Sequence, residues 1–320
     1  MTKIENKWPR NLLSGLESHN LTIFFGAGIA KELGFPLWGE FINDLDKEVT
    51  ISANSKAIVD ILKHEEEFLD IVQIYMNDNK EETINLIMST FKKELDDDLL
   101  VNSNEALLLK LDAGSYITTN VDNSLDLVKS KVGKKVAQIY HYEQDSDIRD
   151  KIISKDYQND PLMVRIHGSL ENSNGLVFAK EKYDEILHGN YFIFEKLLPA
   201  LFITTTVLFI GYSIQDPDIV KIIKNSSSSE SNQSNIFILS TEKSATTTDV
   251  EKLGVKLVHF SPKSSETITS TIKRALLELV TIKETFDKTE HTKVQKLLSQ
   301  GEYSRNAELH SLVNDTNNQL

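Results

Sequence analysis

The chain has 320 residues, 40% hydrophobic and 26% charged, with a formal net charge of −13, a size that suits one large α/β domain or a core domain with a helical companion. No apolar run is long enough to span a bilayer, and cysteine is absent, which excludes disulfides, a cysteine nucleophile and any thiolate zinc site. The negative balance opposes a phosphate backbone, so nucleic acid is not expected as a direct ligand, and the polar start MTKIENKWPRNLLSG has no apolar signal core, so a cytoplasmic protein is expected.

A helix is predicted to end near Ser18. It is followed by the unbroken apolar run LTIFF, residues 21 to 25, and then by Gly26-Ala27-Gly28: a buried parallel strand passing into a glycine turn. From about Trp38 to Leu111 the apolar spacing is three and four, as in LWGEFINDLDKEV, EFLDIVQIYM and ETINLIMSTFKKEL, and no strand is predicted there. Strand patterns return at SYITTN (115 to 120), VAQIYH (136 to 141), LMVRIHG (162 to 168), TVLFIGYS (206 to 213), NIFILS (235 to 240) and VKLVHF (255 to 260). Helical patterns such as SLDLVKSKV and FIFEKLLPALF lie between them. Strand alternating with helix predicts an α/β fold, a Rossmann-like doubly wound parallel sheet, in which VLFI is a central strand covered on both faces. The low-complexity run NSSSSESNQSN, residues 225 to 235, has nothing apolar to bury and is predicted as a surface loop. From Glu266 the chain is helical in pattern, and its final residues, HSLVNDTNNQL, are expected to be weakly ordered.

The residues with chemistry in them follow predicted strands, where open α/β sheets bind ligands. In FFGAGIAKELGFP, Gly26 and Gly28 permit close backbone approach, and a helix start near Ile29 would offer N–H groups to a phosphate. Such a turn, taken alone, is as readily structural. In ITTNVDNSLD, Asn120 ends an apolar strand and should project into the crevice. Asp122 either caps the following helix or faces a ligand. In LMVRIHGSL, His167 stands at a strand tip beside Gly168, a better position for acid–base work than an isolated histidine has. In LFIGYSIQDPDI, Gly211 breaks the central strand, Ser213 is a candidate ribose or phosphate contact, and Asp216-Pro217 reads as a helix start.

The ordered series GAG, TxNxD, HG and GxSxxDP resembles the sirtuin (silent information regulator) superfamily, and most nearly the zinc-free sirtuin-like NAD hydrolase domains of bacterial anti-phage defence systems. The resemblance implies that Gly26, Ala27 and Gly28 hold the NAD phosphates and that Asn120 positions ribose and water, with Asp122 its neighbouring acid. It further implies that His167 is the catalytic histidine and that Gly211 and Ser213 form the second dinucleotide-binding turn. It divides the chain into an NAD-binding catalytic domain at 1–262, with a helical insertion at about 40–111 in place of the zinc module, and a helical tail at 263–320 that can serve oligomerisation. Three departures stand out. Ala30 occupies a place usually held by serine, Gly34-Phe35-Pro36-Leu37-Trp38 carries no arginine where deacylases have one, and the zinc cysteines are missing.

The activity implied is cleavage of the nicotinamide–ribose bond of NAD, with NAD as substrate and no metal. Such cleavage passes through an oxocarbenium-like ribose, and the leaving group is already cationic, so the site must supply orientation, dryness and a placed water. Because uncontrolled NAD loss kills a cell, a homo-oligomer and a separately encoded activating partner are expected. A non-catalytic module that binds NAD or ADP-ribose would need the glycine turns but not Asn120 and His167 together. A protein deacylase is disfavoured by the missing arginine and zinc ligands.

Overall fold

A computed structural model describes residues 8–132, 138–154, 160–189, 191–212, 217–226, 235–241 and 252–299. Ser213, Asp216, the centre of the low-complexity run and the last twenty-one residues lie outside the described residues. The chain forms two compact units, Met1–Leu276 and Leu277–Leu320.

The first unit opens with α1 (Arg10–Glu17) and β1 (Leu21–Phe25), every residue of which is buried. The glycine turn leads directly into a single helical turn, α2 (Ala27–Ala30), continued by a 3-10 turn that Gly34 ends with φ of 86°, a left-handed value that favours glycine. The stretch predicted as helical then folds into α3 (Trp38–Glu48), α4 (Ala53–His64), α5 (Phe68–Asp78), α6 (Lys80–Phe91), α7 (Asp97–Val101) and α8 (Asn104–Lys110). These are short helices with side-chain caps where the sequence supplies them: Ser52, Asn79, Asp96 and Ser103 each accept a backbone N–H of the helix they precede.

The remaining strands are β2 (Ser115–Thr118), β3 (Ile139–His141), β4 (Leu162–Arg165), β5 (Thr206–Ile210), β6 (Ile236–Ser240) and β7 (Lys256–His259). They form one seven-stranded sheet of order β3-β4-β2-β1-β5-β6-β7, and every pairing is parallel. Helices α9 (Ser124–Val132), α10 (Asp145–Ser154), α11 (Lys180–His188), α12 (Leu198–Thr204) and α13 (Pro217–Ser226) alternate with the strands, so the doubly wound architecture expected from the alternation is the one formed. β1 and β5 are buried along their whole length, as strands covered on both faces must be. The edge strand β7 shows the opposite, with Lys256 exposed and Val258 buried.

Apolar clusters pack among the described residues. One lies under the sheet and joins Phe24, Ile117, Val164, Phe202 and Phe209. Another fills the helical layer with Phe41, Leu45, Val72, Tyr75 and Ile87, and it receives Leu170 and Phe178 from the segment after β4. Phe178 meets Phe91 at 5.1 Å and Trp38 at 5.5 Å between ring centroids, so aromatic packing ties the residues following His167 to the helical insertion.

β2 and β4, which lead to Asn120 and His167, end earlier than their sequence patterns suggest. β2 stops at Thr118 because its hydroxyl accepts the Asn120 N–H at 3.0 Å, turning the peptide out of the ladder. β4 stops at Arg165, and Gly168 follows with φ of 81°. Asn120 and His167 are therefore loop residues just beyond their strands rather than the last strand positions.

The long helix α14 (Ile268–Ser299) begins in the first unit and continues into the second. Within the second unit Lys283 pairs with Asp287 one turn on, at 2.5 Å.

Candidate active site

The connections leave β1 toward β2 on one side and β5 toward β6 on the other, so the strand order reverses between β1 and β5. A crevice at the carboxyl ends of strands is expected at such a point. Here the two glycine turns lie against each other. Gly26 donates its N–H to the Ile210 carbonyl at 3.2 Å, and Gly28 donates to the Gly211 carbonyl at 3.0 Å. A Cβ on Gly28 would stand 2.9 Å from the Gly211 Cα, and one on Gly211 would stand 2.7 Å from the Ile29 nitrogen. Gly211 also has φ of 61°. Glycine is required at these positions by backbone packing before any ligand is considered.

The same contacts define what the turn can offer. The amides of Gly26 and Gly28 are committed to β5, and Ile29 donates to the Gly26 carbonyl at 3.0 Å. Only one short helical turn follows, so its dipole is small. The contribution of Gly26, Ala27 and Gly28 is thus a bare backbone surface that a pyrophosphate can approach closely. Ala30, which stands where a serine was expected, is fully buried in the core of the helical layer and presents nothing to the crevice. Ser213 lies outside the described residues.

Across β1, the ends of β2 and β4 carry the polar groups. Thr118 donates its hydroxyl to the Phe25 carbonyl at 2.9 Å while accepting the Asn120 N–H, tying the Asn120 loop to the glycine strand. The Nδ2 of Asn120 is buried and has no hydrogen-bond partner among the described residues. A buried amide donor left this way costs about 1–3 kcal/mol, and a ligand or water oxygen would satisfy it. His167 is largely buried, with its ring edge-on to Tyr183 at 6.2 Å. Strand pairing sets the two loops side by side, because Thr118 is in register with Arg165.

Asp122 is buried and turned into the protein. Its Oδ1 accepts the N–H of Ser124 at 3.0 Å and contacts the Ser124 hydroxyl, capping α9. Burial pushes its carboxyl above the usual range, against the hydrogen bonds from Ser124. The next residue, Asn123, exchanges two hydrogen bonds with the backbone of Lys93, accepting at 3.0 Å and donating at 2.9 Å. The helical insertion is thereby pinned to the loop that carries Asn120.

The motif-by-motif view of the sequence missed Glu105, Ser124 and Arg165, all buried behind this loop. Arg165 donates from Nη2 to the Asp122 carbonyl at 3.0 Å and to Asp126 at 2.8 Å. Ser124 reaches Glu105 Oε1 at 2.6 Å. The available signal was Glu105 itself, a carboxylate on a helix whose residues Asn104 to Leu108 are all buried, since such a charge is rarely buried unless partnered.

A family profile described as a SIR2-like domain matches residues 114–258. The match begins one residue before β2 and runs to β7, so the Asn120 and His167 loops and Gly211 fall inside it and the glycine turn after β1 precedes it. Among curated relatives, the NAD(+) hydrolase ThsA of Enterococcus faecium is 24% identical over 66% of this chain and 40% of its own length. That of Cytobacillus dafuensis is 27% identical over 67% of this chain and 39% of its own. Defense-associated sirtuin 2 of Bacillus subtilis is 25% identical over 62% of this chain and 18% of its own. The alignments to these two ThsA proteins thus span about two fifths of those relatives. A solved structure from work on the mechanism and regulation of Sir2 enzymes superposes with a TM-score of 0.39 at 12% identity, over 88% of this chain and all of the other. No helix among the described residues is long and apolar enough to cross a membrane.

Proposed function

We propose that this SIR2-like chain hydrolyses the nicotinamide–ribose bond of NAD+, releasing nicotinamide and ADP-ribose, and that it does so in defence against phage. The observation that carries the reading is the juxtaposition, at the strand-order reversal, of two mutually packed glycine turns with the buried, unpartnered amide of Asn120. The naming of several relatives as NAD(+) hydrolases and of another as defence-associated supports it.

In this reading the bare backbone at Gly26, Ala27 and Gly28 lets the pyrophosphate lie close over the sheet, with Gly211 in the opposite turn. Asn120 donates from Nδ2 to the ribose or to the attacking water, filling its missing hydrogen bond. His167 bonds the nicotinamide ribose hydroxyls and accepts a proton as the water adds to C1′. Asp122 acts through the loop it caps. The oxocarbenium character of the transition state makes dryness and orientation more valuable than a strong acid, because the pyridinium leaves as a neutral molecule. We further infer a metal-free cytoplasmic enzyme with its catalytic domain at 1–262 and a tail at 263–320 that supports homo-oligomers. It stays inactive until a separately encoded partner or a signal activates it on infection.

The test is incubation of wild type, Asn120→Ala and His167→Ala with NAD, with nicotinamide and ADP-ribose separated by chromatography, each protein alone and co-expressed with the product of a neighbouring gene. Release by wild type and loss in both variants is the expected result. Equal release by all three would remove the assignment, and NAD binding without cleavage under every condition would leave a binding module instead.

A further inference from the structure

We propose that Glu105 is held as a neutral carboxylic acid at neutral pH and, through Ser124 and Asp122, serves as a positioning residue for the loop that carries Asn120; its catalytic part rests on the NAD-cleaving function proposed above. The inference comes from counting hydrogens. The Ser124 Oγ lies 2.6 Å from Glu105 Oε1 and also contacts Asp122 Oδ1. A hydroxyl has one hydrogen to donate, so one of these two contacts needs a proton on a carboxyl group.

Asp122 is the better place for negative charge. Its Oδ1 already accepts the Ser124 N–H, and Arg165 donates to the carbonyl of the same residue. Glu105 has no comparable support. Its Oε2 is buried without a hydrogen-bond partner among the described residues, and the Arg165 Nη2 is taken by the Asp122 carbonyl and Asp126. The proton order that satisfies the geometry runs from Glu105 O–H to Ser124 Oγ, and from Ser124 O–H to the Asp122 carboxylate.

The surroundings agree. Burial first, and then the charge of Asp122, push the Glu105 carboxyl up to about 8, with Asp126 adding to the rise while Ser124 and Arg165 oppose it. These groups face Glu105 from α9, from the loop before it and from β4. On its own helix, the neighbouring Asn104 N–H is bonded by Glu32, which also pairs with Lys273 at 3.3 Å.

The Asn120 loop is therefore held at both ends, by the Thr118 hydroxyl before Asn120 and by the Glu105–Ser124–Asp122 chain after it. Ionising Glu105 removes a donor and leaves two buried carboxylates competing for one hydroxyl hydrogen, so the loop must shift. The sign of the pH effect follows. A group whose folded value is raised holds its proton longer folded than unfolded, so its stabilising contribution is full below the unfolded carboxylate range. It is lost as pH rises through the folded value and is constant above it.

Glu105→Gln supplies an amide donor to Ser124 at every pH. Thermal unfolding and NAD cleavage of the full chain would be followed between about pH 6 and about pH 9 for wild type and Glu105→Gln. Relative to Glu105→Gln at the same pH, wild type should lose Tm and kcat together as pH rises, with KM changed less than about twofold; Glu105→Ala should lower kcat by about ten- to a hundredfold. A Glu105→Gln variant that follows the wild-type decline would overturn the proposal. If Glu105→Gln does not fold, carbon NMR of the wild-type glutamate carboxyls decides: one titrating above neutrality supports the proposal, and none doing so overturns it. If no protein cleaves NAD, diverging Tm curves uphold the neutral acid while the proposed function fails.

Discussion

At the ends of β1 and β5 the polar contacts between the turns run through backbone, beside the Phe24, Phe209 and Tyr212 rings, whereas at the ends of β2 and β4 they run through side chains. On the first side Gly26, Gly28 and Gly211 leave no room for a Cβ, and the surface is defined by what is missing. On the second, Thr118, Asp122, Ser124, Arg165 and Glu105 are buried, the last four joined by hydrogen bonds, and the Asn120 side-chain amide has no hydrogen-bond partner among the described residues. The first side can accept the bulk and charge of a pyrophosphate. The second can aim a donor and a base. In the proposed reading their separation divides the work of a dinucleotide site, with approach granted by one pair of strands and chemistry by the neighbouring pair.

That division can be broken side by side. The largest effect is expected from the polar side: Asn120→Ala or His167→Ala should cut NAD cleavage by about a hundred- to ten-thousand-fold while leaving the unfolding midpoint near wild type, measured on the same preparations. On the glycine side, Gly211→Ala should act through the fold, costing about 2–5 kcal/mol in denaturant unfolding from a positive φ and a clash with Ile29 together. A Gly211→Ala protein of wild-type stability would show that the two turns need not pack as described. Thr118→Val removes the hydroxyl that links the sides and should cost about 1–3 kcal/mol, with kcat falling more than NAD affinity. The smallest effect serves as a control. Gly39, exposed near the start of α3 with nothing within 4 Å of an added Cβ, should become stabilising as alanine by about 0.5 kcal/mol.

The same contrast governs what could be read before the structure was known. The glycine side was legible because a missing Cβ is written in the sequence at the site itself, and the runs LTIFF and TVLFI are unbroken apolar strands. The helical layer was legible as a region but not as separate helices: α4 was not singled out, because its exposed Ile58 and Ile61 blur the apolar stripe. The polar side was legible only in Asn120 and His167. Their neighbours act across distance, with Glu105 nineteen residues before Ser124 and Arg165 forty-three after Asp122, and no local spacing carries such a pairing. Asp122 stood between capping and ligand contact in the sequence, and the structure puts its carboxylate on Ser124.

The most direct test of the divided site is a crystal structure of Asn120→Ala soaked with NAD. The account predicts intact dinucleotide lying across the ends of β1 and β5, with its pyrophosphate over Gly26 to Gly28 and its nicotinamide ribose beside His167. Dinucleotide bound elsewhere, such as the open groove between α4, α5 and α11 lined by Ile58, Gln73 and Lys180, would contradict it.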